Sequence, residues 1–276
     1  MHFKKTDHIA ELKKIAFNIR KDILISLSEA GSGHTGGSLG LTDVFTSLYF
    51  SVMDHDPQDP AWEYRDRLIL SIGHVAPVLY ATLAHAGYFQ VEELKTLRKL
   101  GSRLQGHPGR DHGLPGLELS AGSLGQGLSV SVGMALAARM DKRDNFIYCI
   151  MGDGEQQEGS VWEAAMSAGH YKLDNLIAVI DRNKLQIDGS NSDVMEVEPL
   201  ADKWRSFGWQ VSECNGNDMA DLLASFAKCK QQKGKPNIIL AHTIMGKGVK
   251  AIENDYHWHG RAPSKEQLPG FLEALE

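Results

Sequence analysis

Cysteine is scarce in this chain of 276 residues. Its three cysteines, Cys149, Cys214 and Cys229, are too few and too scattered for a disulfide framework or a cysteine-rich zinc site. We therefore expect a protein held together by an ordinary hydrophobic core, and one that resides in the cytoplasm.

Long apolar runs and an excess of positive charge are also missing from the sequence. No apolar run reaches the ~18 residues that a membrane-spanning helix needs, and the N-terminal segment lacks the apolar centre of a signal peptide. The net charge of −6 provides no general attraction to nucleic acid or to an anionic membrane. We expect neither nucleic acid nor a membrane among its partners.

Strand-like and helix-like segments alternate in the second half of the chain. The apolar runs "FIYCIM" (146–151), "LIAVID" (176–181) and "NIILAHTI" (237–244) predict buried strands, and helical patterns separate them. This order is typical of a parallel sheet with helices on both faces. Because the sequence contains no repeat or linker, we predict a single α/β domain over residues 1–276.

The first half of the chain has mainly helical patterns. Helices are predicted at 7–30, 41–52, 74–87 and 91–100, and "RLILS" (67–71) predicts a short buried strand. The segment "GSGHTGGSLG" (31–40) predicts a glycine-rich turn. A helix of small residues, "GQGLSVSVGMALAARM" (125–140), is suited to close packing.

Two polar side chains follow neighbouring predicted strands. Asp153 ends the first, and Asn183 follows the next about thirty positions later, the length of one strand–helix–strand unit. Ligands of parallel sheets bind at this edge, and oxygen ligands suit a hard cation such as Mg²⁺ bridging to a phosphate. The cation would also offset repulsion among Asp153, Glu155 and Glu158. Taken singly, Asp153 could cap a helix and Asn183 form a turn, but their joint placement favours the metal.

Several sequence blocks together resemble the N-terminal half of a transketolase. "GDG" (152–154) and the later Asn183 form the thiamine-diphosphate motif. The other blocks, in the family's order, are "SGHTGG" (32–37), "DRLILSIGHVAPVLY" (66–80), "QGHPG" (105–109), "AGSLGQGLSVSVG" (121–133) and "WHGRAP" (258–263). The resemblance covers nearly the whole chain and implies a thiamine-diphosphate-binding fold that moves two-carbon ketol units between sugars.

The resemblance also implies roles for the matching residues. The metal, Mg²⁺ or else Ca²⁺ or Mn²⁺, would be held by Asp153, Asn183 and the backbone carbonyl of Leu185. Thiamine diphosphate would contact His74, Gly122, Leu124, Asp153, Gly154, Glu158, Asn183 and His259. Within this set, the Gly154 amide would meet the diphosphate and Glu158 would organise the partner's edge of the site. Gly122 and Leu124 would lie against the aminopyrimidine.

Four histidines would line the substrate channel by the same resemblance. They are His34, His74, His107 and His259, and each sits beside glycine in an irregular segment. Ketol transfer requires proton exchange with hydroxyl groups near neutral pH, where imidazole ordinarily titrates. We expect these histidines to bond sugar hydroxyls and to move protons. His257, two positions before His259, remains ambiguous.

The chain departs from the family's pattern near its last predicted strand. Met245 stands where many relatives carry a lysine, so the cationic contact is either supplied by Lys247 or absent. Thr35 replaces the usual proline beside His34.

In transketolases a second domain supplies the glutamate that activates the aminopyrimidine and the arginines that bind sugar phosphate. This sequence ends at Glu276, directly after the diphosphate-binding part. We therefore expect a split enzyme, inactive without a C-terminal subunit that carries the pyrimidine-binding domain. The expected assembly is a heterotetramer of two plus two chains, acting on sugars or sugar phosphates.

Three alternatives differ from this interpretation. The chain could belong to another split thiamine-diphosphate enzyme, of the 2-oxo-acid dehydrogenase or deoxyxylulose phosphate synthase type. It could be a non-catalytic subunit, although the metal pair argues against this. Finally, "GGSLG" (36–40) matches the G-x-S-x-G of hydrolases, which requires a strand directly before it.

Overall fold

A computed structural model describes residues 3–275 and centres on a parallel sheet. The strands are β1 (Arg67–Leu70), β2 (Ile147–Gly152), β3 (Leu176–Asp181), the short β4 (Leu185–Gln186) and β5 (Gly189–Ser190), β6 (Gln210–Asn215) and β7 (Asn237–His242). The main sheet has five strands in the order β1-β2-β3-β7-β6, all parallel, while β4 and β5 form a separate antiparallel pair.

Helices cover both faces of this sheet. They are α1 (Ile9–Ala30), α2 (Thr35–Gly40), α3 (Thr42–Ser47), α4 (Ala76–His85), α5 (Gln126–Met140), α6 (Gly159–His170), α7 (Asn191–Val194), α8 (Leu200–Ser206), α9 (Met219–Gln231) and α10 (Leu268–Glu273). Helices α1, α3, α4 and α9 pack on one face, and α5, α6 and α8 pack on the other. In the described part of the chain, no helix is long and apolar enough to cross a membrane.

The apolar residues of the central strands contribute to two hydrophobic cores, one on each face of the sheet. Tyr148 and Ile150 of β2 join the core beneath α1, whereas Cys149 and Met151 join the core beneath α5. A strand buried on both faces needs no polar alternation, which is why its sequence is continuously apolar. The predicted fold class is therefore confirmed. The extent 1–276 stays a prediction, because residues 1, 2 and 276 lie outside the described residues.

The glycine-rich segment 31–40 differs from its prediction, since α2 occupies Thr35–Gly40. Its glycines serve close packing as much as turning. A Cβ on Gly36 would lie 2.6 Å from Met245, and one on Gly37 would lie 2.8 Å from Val75. Sequence alone does not distinguish a glycine required by a turn from one required by a close neighbour.

The predicted helix at 91–100 is wrong beyond its first turns. A 3₁₀ segment covers Val91–Thr96, and the chain then reverses at Arg98, which has φ 60° and whose amide donates to the Leu104 carbonyl. The prediction at 41–52 is confirmed in extent, but α3 continues as one π-helical turn, Leu48–Val52.

Candidate active site

One cavity of about 360 Å³ opens at the carboxyl ends of the strands. All the predicted site residues lie along its wall, namely His34, His74, His107, Gly122, Leu124, Asp153, Gly154, Glu158, Asn183, Leu185 and His259. Segments that precede β1 and follow β7 thus meet around a single space. Their individual roles stay predictions.

A buried arginine neutralises the acid at the end of β2. Asp153 is 2% exposed, and its Oδ2 accepts hydrogen bonds from Arg182 Nη1 at 2.9 Å and from the Lys184 amide at 2.6 Å. Its Oδ1 accepts from the Gly154 amide at 2.8 Å. The other arm of Arg182 donates to Glu198 at 2.7 Å. The positive group beside Asp153 is therefore a side chain of the protein itself.

The sequence analysis predicted that the positive group beside Asp153 is a metal cation, and it missed Arg182. The signal was present, because "DRN" (181–183) places a cation directly after a buried strand. Strand pairing then decides the contact. Gly152 of β2 is in register with Asp181 of β3, which sets the residues that follow them side by side.

The predicted metal ligands lie together at these two strand ends. Asn183 Oδ1 accepts from the Leu185 amide at 2.8 Å, and its Nδ2 donates to Asp181 at 2.8 Å. Burial raises the pKa of Asp181 to about 7. Among residues 3–275, no group of three His, Cys, Asp or Glu side chains could hold a metal. The predicted set contains one carboxylate, one amide and one carbonyl, a donor set that suits Mg²⁺ because Mg²⁺ takes few protein ligands.

The acids that follow Asp153 point in different directions. Glu155 is 1% exposed and turns inward, whereas Glu158 is exposed at the rim of the cavity. The Glu155 carboxylate accepts hydrogen bonds from the Ser71 hydroxyl, from the Gly125 amide at 2.7 Å and from the Gly152 amide at 3.1 Å. Burial raises the pKa of Glu155. The repulsion among these acids that the sequence suggested is thus reduced in two ways. The side chains of Glu155 and Glu158 point in different directions, and Arg182 pairs with Asp153.

The four histidines form a cluster centred on His34. Its ring centroid lies 5.1 Å from that of His74, 5.7 Å from that of His259 and 6.2 Å from that of His107. His74 and His259 are 5.0 Å apart. His34 Nδ1 is buried and has no hydrogen-bond partner among the described residues. Buried polar atoms are usually paired, so this nitrogen is an exception within the cluster.

Burial favours the neutral form of the four imidazoles. It lowers the pKa of His34 to about 4, with further lowering from the charges of His259, His107 and Arg98. Burial likewise lowers the pKa of His74 well below its usual value, and lowers that of His107 and His259. This differs from the expectation of groups that titrate near neutral pH. A neutral imidazole offers one donor and one acceptor, which suits it to bonding hydroxyl groups.

A family model for the thiamine-diphosphate-binding domain of transketolase matches residues 12–270. The chain belongs to the transketolase family. It is 46% identical over 248 residues to one subunit of the apulose-4-phosphate transketolase of Phocaeicola vulgatus, a match that covers 90% of this chain and 88% of that protein. It is 45% identical to the 6-deoxy-6-sulfo-D-fructose transketolase subunit SqwG of Clostridium sp., covering 96% of each.

Transketolases of full length match over the same region. Human transketolase is 34% identical across 99% of this chain, which corresponds to 43% of the human protein. The structure of transketolase from Leishmania mexicana superposes with a TM-score of 0.89 at 35% identity, covering 96% of this chain and 41% of that one. The chain therefore spans less than half the length of these relatives and corresponds to the cofactor-binding part of a transketolase.

The departures from the transketolase pattern have a structural outcome. Met245 is 1% exposed and lines the cavity, so a thioether stands where the family resemblance led us to expect a lysine. Lys247 does not replace it at the cavity wall, because its Nζ bonds Glu253 at 3.3 Å. His257 is exposed and bonds Asp255 at 2.7 Å, outside the histidine cluster.

The hydrolase alternative does not fit the surroundings of Ser38. This serine lies within α2, is fully buried, and donates its hydroxyl to the His34 carbonyl at 2.7 Å. A hydrolase nucleophile follows a strand and is exposed. The Ser38 hydroxyl is instead engaged by the backbone at the start of a helix.

Proposed function

We propose that this chain is the diphosphate-binding subunit of a transketolase that transfers a two-carbon ketol unit from a ketose to an aldose. The observation that carries the proposal is the meeting of the "GDG" turn, Asn183 and four clustered histidines around one cavity. The runner-up, another split thiamine-diphosphate enzyme, is less well supported because the matching relatives are named transketolases.

The cavity has residues suited to both the cofactor and a divalent cation. Asp153, Asn183 and the Leu185 carbonyl would hold Mg²⁺, and the Gly154 amide would meet the diphosphate. Gly122 and Leu124 would lie against the aminopyrimidine. When bound, thiamine diphosphate supplies the nucleophile and electron sink for cleaving the carbon–carbon bond.

The chain's own contribution to the reaction is to bind hydroxyl groups and to move protons. His34, His74 and His259 are packed so closely that one sugar can contact more than one ring. Because the rings are neutral, each can accept a hydroxyl proton on one nitrogen and donate from the other. We propose His107, the most open of the four, for the mouth of the channel.

We also propose that the chain acts with a partner subunit carrying the pyrimidine-binding domain. Two relatives of matching length are each named as one subunit of a transketolase. Closed two-fold assemblies are the commonest, which favours two plus two chains. Sugars or sugar phosphates are the proposed substrates and the cytoplasm is the proposed compartment.

The decisive experiment compares the lone chain with the pair. The chain is purified alone and together with the product of the neighbouring gene, and both are assayed for ketol transfer with Mg²⁺ and thiamine diphosphate. We expect turnover only from the pair, because the activating glutamate would come from the partner. Robust turnover by the lone chain would contradict the split arrangement, and transfer of other groups would favour the runner-up.

The metal assignment is tested with Asp153→Ala. We expect the Mg²⁺-dependent affinity for thiamine diphosphate to fall by more than ~100-fold. Mutation of a residue that only hydrogen-bonds to a metal ligand already lowers metal affinity or activity by ~10–100-fold. Calorimetric titration of the assembled pair measures this loss. Asp188→Ala, at an exposed acid outside the cavity, is the matched control and is expected to bind normally. Unchanged affinity in Asp153→Ala would remove Asp153 from the metal site.

A further inference from the structure

Glu155 joins three segments that the chain brings to the cavity from separate strands and turns. Ser71 follows β1, Gly152 ends β2, and Gly125 occupies the turn before α5. Each donates a hydrogen bond to the same carboxylate, so that both of its oxygens are engaged. The side chain is 1% exposed, which excludes competing water.

Ser71 extends this connection into helix α5. Its hydroxyl oxygen accepts a hydrogen bond from the Gly127 amide at 3.0 Å while its proton is donated to Glu155. Gly125 itself has φ +83°, and a Cβ there would lie 2.5 Å from Ser160 Oγ. The turn is thus fixed by its backbone conformation, its neighbours and the Glu155 carboxylate together.

The segments held by Glu155 are the two ends of the proposed cofactor site. On one side is the diphosphate turn (residues 152–154), and on the other is the pyrimidine turn (residues 122–125). Hydrogen bonds to an ionised acceptor are roughly twice as strong as neutral ones. A single carboxylate shared by both turns therefore fixes the distance between them more firmly than separate contacts would.

We propose that Glu155 is a positioning residue that sets the separation of the diphosphate and pyrimidine turns, and so determines affinity for the whole cofactor. This rests on the proposed placement of thiamine diphosphate along the cavity. A ligand that touches both turns depends on their separation, whereas a ligand that touches only the diphosphate turn does not. Glu155 borders the cavity, but the hydrogen bonds of its carboxylate are made to the protein.

The test is Glu155→Gln, which preserves size but replaces one acceptor oxygen with a donor. A donor that faces a backbone amide breaks the shared contact and leaves that amide unsatisfied. In the assembled pair with Mg²⁺, calorimetry should show thiamine diphosphate affinity lowered by about tenfold to a hundredfold. Affinity for inorganic pyrophosphate with Mg²⁺ should change by less than about twofold.

Two further variants make this test decisive. Ser71→Ala removes one donor to Glu155. It should lower the affinity for thiamine diphosphate by a smaller factor and again leave the affinity for pyrophosphate almost unchanged. This variant keeps the proposal testable if Glu155→Gln folds poorly. Ser131→Ala is the matched control, because its hydroxyl donates to the Gly127 carbonyl at the start of the same helix without touching Glu155. It should bind both ligands normally.

The possible failures are distinguishable. If Glu155→Gln and Ser71→Ala weaken both ligands equally, or weaken neither, Glu155 does not set the separation of the turns and the proposal is wrong. If the wild-type pair binds pyrophosphate but not thiamine diphosphate, the proposed function fails first, and this proposal fails with it.

Discussion

The histidine cluster shows how strongly single residues depend on their surroundings. Imidazole in water would be partly charged at neutral pH, yet burial lowers the pKa of all four rings here. Charged rings at these distances would repel one another. Neutral rings can stay together and present donors and acceptors to a sugar.

At this scale we predict that His107→Ala and His259→Ala keep the fold and most cofactor binding but lose transfer rate. A positioned proton-transfer group typically contributes ~10²–10⁴-fold, and the loss should appear in kcat at saturating substrates. The matched control is His257→Ala, since that ring is exposed and bonds only Asp255 among the described residues. A wild-type kcat in either variant would remove that histidine from the catalytic set.

The outer face of helix α5 has features of an interface. Five of its six exposed positions form one stripe, namely Gln126, Ser129, Gly133, Ala137 and Met140. Met140 is 81% exposed, and a Cβ built on Gly133 has nothing within 4 Å in this chain. Small side chains along a helix permit close approach of another helix, so this stripe suits the proposed partner subunit.

The stripe gives a prediction for Gly133→Glu. The lone chain should unfold at the same temperature or higher, because glycine costs a helix interior about 1 kcal/mol relative to good helix formers. Assembly with the partner should nevertheless be lost, as seen by size-exclusion chromatography and co-purification. Gly270→Glu, at a helical glycine with equally open space, is the control. Normal assembly of Gly133→Glu would place the interface elsewhere.

Elements differ in how far their sequence determines them. The strands β2 and β3 were predictable because burial on both faces requires unbroken apolar runs. Asp153 and Asn183 were predictable because each follows one of those runs, whereas the four histidines, Gly122 and Leu124 were identified through the family resemblance. Arg182 and the Ser71 contact of Glu155 were not, since each depends on which strands become neighbours and in what register. The short helix α2 could not be predicted from the sequence, because its glycines are typical of a turn but here allow close packing against neighbouring residues.

Over the whole molecule, buried titratable groups act on stability in opposite directions. The native pKa of His34 is about 4 against 6.5 in the unfolded chain, so between these values the unfolded chain binds more protons and stability falls as pH falls. Asp181 and Asp66, whose native pKa values are raised to about 7 and about 6, bind protons more readily in the native state. Their effect therefore opposes that of His34.

The contribution of His34 is isolated by comparing variants. We predict that His34→Gln removes part of the loss of stability between pH 6.5 and pH 4, while leaving the free energy of unfolding at pH 7.5 less affected. Urea unfolding of the lone chain at several pH values measures the difference from wild type. Equal pH dependence in the two proteins would show that folding does not lower the pKa of His34.

The four clustered histidines come from distant parts of the chain: His34 precedes β1, His74 and His107 lie between β1 and β2, and His259 follows β7. Contacts between residues so distant along the chain carry a high entropic cost of closure and tend to form slowly. A molecule still emerging from the ribosome therefore lacks part of the cavity until its last strand has docked. Only fully folded chains would then bind thiamine diphosphate. Protection from proteolysis by added thiamine diphosphate would therefore measure how many chains have completed folding.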